Sequence, residues 1–138
     1  MDISLIRLRC RKEESTTQAI WAGANNPLWI IKQGILPSFV EILPDKQPIG
    51  NSEYGTSFTD HNFELMKGDL FYLFSDGYHD QFGGKDGKKL KKAGFKELVL
   101  NMHHLAINDQ LIHLESFFES WKADREQVDD LCIIGMRL

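Results

Sequence analysis

Residues 68–84 read GDLFYLFSDGYHDQFGG. Leu70 to Phe74 are apolar without a break, which predicts a central strand covered on both faces. The run then stops on Ser75, Asp76 and Gly77. An acid followed by glycine is a common strand exit, and that reading needs no ligand. The same pair also suits a metal site: a carboxylate fixed at the end of a rigid strand, beside a residue without bulk, is a ligand for a hard divalent cation. The rest of the chain has to separate these readings.

Upstream of this stretch the period is two. DISLIRLRCR (residues 2–11) and TTQAIWA (16–22) predict a hairpin over residues 1–22 with KEES as its polar turn. GANNP (23–27) is dense in turn formers, and LWIIKQ (28–33) and SFVEIL (38–43) predict two further strands. Residues 44–55, with two prolines and two glycines, read as a loop. TSFTDHNFEL (56–65) predicts the strand before the central one. Downstream of Gly77 the period changes to about 3.6. Phe95, Leu98, Val99 and Met102 form one helical stripe, and Ile107, Leu111, Leu114, Phe118 and Trp121 form a second. DDLCIIGMRL (129–138) returns to an unbroken apolar strand. Six strands, two helices and a last strand predict an α+β fold, layered antiparallel sheets with helices on the outside.

A chain of 138 residues is long enough for one compact domain, expected to bury roughly two-thirds of its unfolded surface. A net charge of −4 gives no general attraction to nucleic acid or anionic lipid. Cys10 and Cys132 both lie in apolar runs and read as small core residues in a reducing compartment. No apolar run approaches a membrane span, and no basic-then-apolar leader opens the sequence. A cytoplasmic location is expected.

Asp76 falls where the sixth strand ends and Asp129 where the last begins. If those strands are antiparallel neighbours, both carboxylates share one rim of the sheet. Mg²⁺ and Mn²⁺ take oxygen ligands of this kind, with water in the remaining positions. Gly77 then serves to turn the backbone sharply and keep bulk from the ion. The plainer alternative stands beside it: a turn at Asp76-Gly77 and a solvated strand start at Asp129-Asp130.

YLFSDGYHDQF and QVDDLCIIGMRL, preceded by AGANNPLWII and DKQPIG, resemble the SpoIIE-like branch of the type-2C metal-dependent serine/threonine protein phosphatases. The resemblance runs from the first residues to the last, with its motifs in order. It implies a sandwich of two antiparallel sheets flanked by helices, with two Mn²⁺ or Mg²⁺ ions at one end. Asp76 matches the acid of the family's S-D-G motif, and Asp129 the acid opening its last strand. The metal group so implied is Asp76, Gly77, Asp129 and Asp130, with Asp76 and Asp129 as the catalytic acids and Asp130 as a turn or supporting group. Cys132 stands where many relatives have threonine. Asn25, Asn26 and Pro27 match a structural A-G-x-N-P loop.

An earlier Asp-Gly element of the family, within D-x-[ST]-G-H-G, has no counterpart here, and the family's domain is longer than 138 residues. The chain therefore reads as the C-terminal part of a phosphatase domain. Two cations ~4 Å apart repel strongly without a further bridging carboxylate. A single weakly held ion is expected from Asp76 and Asp129, and the 138 residues alone are expected to hydrolyse phosphate esters poorly. Packing partners lost with the upstream part would leave apolar surface, for which a homo-oligomer is a remedy.

Lys85, Lys88, Lys89, Lys91, Lys92 and Lys96 crowd GGKDGKKLKKAGFK (83–96). The run reads either as a solvated loop or as a landing site for a negatively charged protein. It is not a phosphate-binding loop: three residues, not four, separate Gly83 from Gly87, and no Ser or Thr follows the lysine. His61, His79, His103, His104 and His113 lack zinc spacing; His79 and Asp80 read as supporting groups of the acid site or as surface.

Three readings result. In the first, the complete domain removes phosphate from phosphoserine or phosphothreonine on a regulatory protein; the resemblance implies a phosphorylated partner such as an anti-sigma-factor antagonist. The second is a non-catalytic interaction module that keeps the fold. The third, a generic α+β ligand-binding domain, requires Asp76 and Asp129 to lie far apart.

Overall fold

Alternation along β1 (Ile3–Arg9) turns Ile6 and Leu8 inward and leaves Leu5, Arg7 and Arg9 exposed. In the computed structural model, which describes residues 1–10, 15–50 and 55–138, β1 pairs antiparallel with β2 (Thr16–Ala24), Arg7 facing Ile20. β2 pairs antiparallel in turn with β5 (His61–Met66), Ala19 facing Phe63. The hairpin expected over residues 1–22 is present; residues 12–14 of its turn and 51–54 of the following loop lie outside the described residues.

A second sheet has the order β4-β3-β6-β9, with β3 at Leu28–Lys32, β4 at Ser38–Ile42, β6 at Leu70–Phe74 and β9 at Ile133–Arg137. β3 is antiparallel to both β4 and β6. Backbone bonds from Leu138 N–H to the Asp69 carbonyl (3.0 Å) and from Ser75 N–H to the Cys132 carbonyl (2.9 Å) fix β9 antiparallel to β6. Ala19, Trp21 and Leu65 of the first sheet meet Leu28, Ile30, Phe71 and Leu73 of the second in one core, a sandwich held by apolar burial. The opposite face of β3 and β6 is buried as well, with Trp29 4.4 Å from Phe74. All five residues of β6 are buried, as its two-sided pattern predicts.

At the entrance to β6, Asp69 is only 1% exposed and fully partnered. One carboxylate oxygen accepts Gln33 N–H at 2.8 Å. The other accepts Met66 N–H at 2.9 Å and faces the Lys32 ammonium at 3.2 Å. A buried charge with this many donors ties the end of β3 to the β5–β6 turn. Asn25, at φ +61, donates through its side chain to Asp2 and through its backbone to the Asp45 carbonyl, so the GANNP turn is built into the sheet framework.

The chain divides into two compact units, Met1–Phe74 with Ile134–Leu138, and Ser75–Ile133. The second holds the helices: α1 (Gly77–Asp80), α2 (Lys91–Met102) and α3 (Ile107–Lys122), with a hairpin of β7 (Phe82–Gly83) and β8 (Lys88–Lys89) between the first two. Its core centres on Tyr78, whose ring lies 4.8 Å from Phe95 and 5.2 Å from Phe118. The Tyr78 hydroxyl donates to the Leu114 carbonyl at 2.8 Å, and burial pushes its pKa up.

Four sequence expectations are corrected. Cys10 and Cys132 are exposed rather than core, because each lies just beyond its strand. The α3 stripe is rotated: Gln110, Leu114 and Phe118 are buried, Trp121 is half-buried, and Ile107 and Leu111 are exposed. β5 starts at His61, five residues later than the apolar pattern suggested. β9 starts at Ile133, so Asp129 lies four residues ahead of the strand and not at its first position. Neither α1 nor the β7–β8 hairpin was anticipated.

Candidate metal centre

β6 delivers Ser75 and Asp76 at its exposed end. The Ser75 hydroxyl donates to the Asp130 carbonyl at 3.1 Å and accepts Cys132 N–H at 3.1 Å. One small side chain thus joins the segment after β6 to the segment before β9. Asp76 is exposed and serves as the N-terminal flanking residue of α1; its carboxylate makes no capping hydrogen bond.

Gly77 is buried, and its role is steric. Its φ is not in the left-handed region, so the turn from β6 into α1 does not itself require glycine. A Cβ at this position would stand 2.4 Å from the Asp130 carbonyl oxygen and 3.4 Å from Asp129 Cβ. Only a residue without a side chain lets the two acid-bearing segments touch. Asp129 and Asp130 are both exposed; Asp129 accepts the Asp130 N–H through its carboxylate at 2.8 Å and the Gln127 side-chain amide through its carbonyl at 2.7 Å.

Gln81 supplies a further clamp. It is wholly buried, donates to the Phe82 and Glu126 carbonyls at 3.0 Å each, and accepts Val128 N–H at 3.1 Å. The pairs Ser75 with Cys132, Gly77 with Asp130 and Gln81 with Glu126 have residue numbers that add to the same total as Asp69 with Leu138. Within residues 75–133 these contacts run antiparallel, and they bring the two acid-bearing segments together. Sequence reasoning selected the acids and the glycine but missed Ser75 and Gln81. The serine of S-D-G was a usable signal; a lone Gln between a helix and a hairpin was not.

His79 is buried on α1, its ring stacked at 6.5 Å over Phe95. Burial holds its pKa below the ordinary value; Asp80 and Asp76 oppose that shift, while Lys92 and Lys89 reinforce it.

The donors at this locus are hard oxygens, the right chemistry for Mg²⁺ or Mn²⁺. Their number is small: among the described residues no group of three or more His, Cys, Asp or Glu side chains is placed to hold an ion. The donor chemistry of Asp76 and Asp129 suits a hard cation, with water needed for the remaining positions. A separate pocket of about 400 Å³ lies on the three-stranded sheet, lined among others by Arg7, Arg9, Gln18, Asn62 and Glu64. Sequence reasoning selected none of these residues.

The sequence profile described as Stage II sporulation protein E (SpoIIE) matches residues 2–138. The SiaA-PP2C domain of Pseudomonas aeruginosa superposes with a TM-score of 0.77 at 22% identity, covering 88% of this chain and 46% of that one. The phosphatase domain of the cell fate determinant SpoIIE from Bacillus subtilis superposes with a TM-score of 0.54 at 18% identity, covering 97% and 57%. No curated protein matches by sequence. The chain spans about half the length of these solved domains, and at such identities the likeness establishes the PP2C-type fold.

Proposed function

Because this chain belongs to the SpoIIE family, one of protein phosphatases, we propose that within its complete domain it removes phosphate from phosphoserine or phosphothreonine of a regulatory protein partner. An anti-sigma-factor antagonist is the kind of partner the family likeness suggests. The observation that carries the reading is the contact between the Asp76-Gly77 and Asp129-Asp130 segments, with glycine as the only residue that fits between them. Asp76 and Asp129 are the proposed metal ligands, Gly77 admits the approach, and Asp130 holds the loop through its carbonyl bond to Ser75.

Mn²⁺ or Mg²⁺, when bound, supplies a water activated for attack on phosphorus and neutralises the phosphoryl oxygens. The chain's own residues hold the carboxylates in register: Ser75 and Gln81 fix the loop spacing, and the strand behind Asp76 resists displacement. With so few donors, the 138 residues alone are proposed to bind one ion weakly and to turn over poorly. The same shortage favours, as a second reading, an interaction module that keeps the fold without the chemistry. No helix among the described residues is long and apolar enough to cross a membrane, and a cytoplasmic location is proposed. Self-association is proposed through exposed apolar groups such as Ile134 and Met136 of β9, and light scattering tests it.

Mn²⁺ titration calorimetry on this chain and on Asp76→Asn and Asp129→Asn tests the ligand assignment. Release of phosphate from a phosphoserine peptide by the complete domain tests the activity. Both substitutions should abolish ion binding and turnover; retention of both by either variant overturns the reading.

A further inference from the structure

Between α1 and α2 the chain carries a concentration of positive charge that the acid site does not use. Residues 80–96 hold six lysines against two aspartates, in a chain whose net charge is −4. We propose that this β7–β8 hairpin and the start of α2 form the docking surface for an acidic, phosphorylated segment of a protein partner. The inference rests on the phosphatase reading for its biological sense, but not for its test.

First, the hairpin is anchored as a solvated loop need not be. Phe82 pairs with Lys89 and Gly83 with Lys88. Gly84 N–H donates to the Trp121 carbonyl at 2.9 Å, Leu90 N–H to the Gln81 carbonyl at 3.1 Å, and the Trp121 ring N–H to the same Gln81 carbonyl at 3.1 Å. A Cβ at Gly83 would stand 2.1 Å from the Trp121 carbonyl oxygen, so the hairpin lies directly on α3. A platform of this kind holds its charges in place before a partner arrives, which lowers the ordering entropy lost on binding.

Second, the lysines are unequally engaged. Lys89 bonds Asp80 at 2.8 Å and lies 5.6 Å over the Phe82 ring. Lys88 faces Asp86 at 3.5 Å, with both side chains about three-quarters exposed. Lys85, Lys91 and Lys92 are exposed and make no ion pair among the described residues. Lys91 is also held at φ +64, a left-handed conformation unfavourable for a residue with a side chain. Arg125 adds a cation near the hairpin tip, its guanidinium 3.2 Å from where a Gly87 Cβ would be.

Third, the ridge borders the proposed site. Lys89 pairs with Asp80 at 2.8 Å, and Asp80 N–H donates to the Asp76 carbonyl at 2.9 Å. A segment seated on these lysines brings its phosphate toward the Asp76 turn. A short acidic peptide matches a patch of this size, whereas a long polyanion would also meet the negative charge of the remaining chain.

The experiment is fluorescence anisotropy with a labelled phosphoserine peptide flanked by glutamates, in chelator so that no hydrolysis is required. Its comparisons are the same peptide with glutamines and a short single-stranded oligonucleotide. The triple variant Lys85→Gln, Lys91→Asn, Lys92→Gln should lose about tenfold in affinity at low salt while keeping its melting temperature. The wild-type affinity should fall steeply with added salt, which tests the proposal even if the variant misfolds. Equal binding of the glutamine peptide, salt-independent binding, unchanged affinity in a folded triple variant, or tighter binding of the oligonucleotide each overturns it. Failure of the phosphatase reading appears separately, as absence of turnover by the complete domain with peptide binding intact.

Discussion

Gly77→Ala tests the geometry of the acid site most directly. The added methyl would be placed 2.4 Å from the Asp130 carbonyl oxygen and 3.1 Å from its carbon, so the backbone around residue 130 must retreat by about 1 Å to restore an ordinary contact. That carbonyl accepts the Ser75 hydroxyl, which in turn accepts Cys132 N–H, so the retreat breaks the first bond of this two-bond bridge. Overpacking costs about 1–3 kcal/mol and a lost hydrogen bond about 1 kcal/mol. Replacing glycine by alanine in a helical turn returns up to about 1 kcal/mol. The expected net loss is about 2 kcal/mol. At about 2–4 °C per kcal/mol for a chain near this size, the melting temperature falls by about 4–8 °C in calorimetry. Gly34→Ala is the matched control, because its nearest neighbour would be 3.8 Å away, and it should stay within about 0.5 kcal/mol of wild type. Equal melting temperatures for Gly77→Ala, Gly34→Ala and wild type would refute the claim that the two acid-bearing segments touch.

Gln81→Met keeps the volume but removes the bonds to Glu126, Phe82 and Val128, three partly buried hydrogen bonds; a loss of about 1–3 kcal/mol in urea unfolding is expected, with unchanged stability counting against the clamp. Phe71→Ala opens a cavity between the sheets and should cost about 3–5 kcal/mol by the same measurement. His79 is buried with its pKa held below 6.5, so between its folded value and 6.5 the unfolded chain binds the extra proton. The part of stability due to His79 is therefore full above that window and lost as pH falls through it; unfolding curves should show His79→Gln weakening less than wild type on acidification, and identical slopes would contradict the assignment. Adding Mn²⁺ should raise the melting temperature of wild type but not of Asp76→Asn or Asp129→Asn, and an equal rise in all three would place the ion elsewhere.

Legibility in the sequence followed the strength of each periodic signal. β6 was readable because five consecutive apolar residues admit little besides a strand buried on both faces. The stripe from Ile107 to Trp121 located α3 correctly, yet not its buried face, since Gln110 replaces an aliphatic group there and satisfies its amide on the Leu105 carbonyl. A pattern of apolar residues cannot register a polar side chain buried with its partner. α1 has four residues and no period to detect. The β7–β8 hairpin depends on glycines whose purpose appears only when Trp121 is seen against them. At the candidate site, Asp76, Gly77 and Asp129 could be proposed from residue type alone, while Ser75 and Gln81 act through a pairing that no local signal states.

That pairing explains why polar clamps stand beside the acids. A strand with one buried face has its register set by hydrophobic alternation, because a slip of one residue exposes the wrong set. β9 lacks such a pattern: Ile133 and Ile134 are consecutive, Gly135 has no side chain, and Ile134 and Met136 are more than 40% exposed. Apolar burial alone discriminates poorly between registers for such an edge strand. The discrimination comes from directional bonds on the loop before it, Ser75 to residues 130 and 132 and Gln81 to residues 126 and 128. A one-residue slip breaks all of them at once and drives a side-chain carbon or carbonyl into Gly77. The same bonds hold the segment that carries Asp129 against the segment that carries Asp76, so their loss would also displace the two acids of the candidate site.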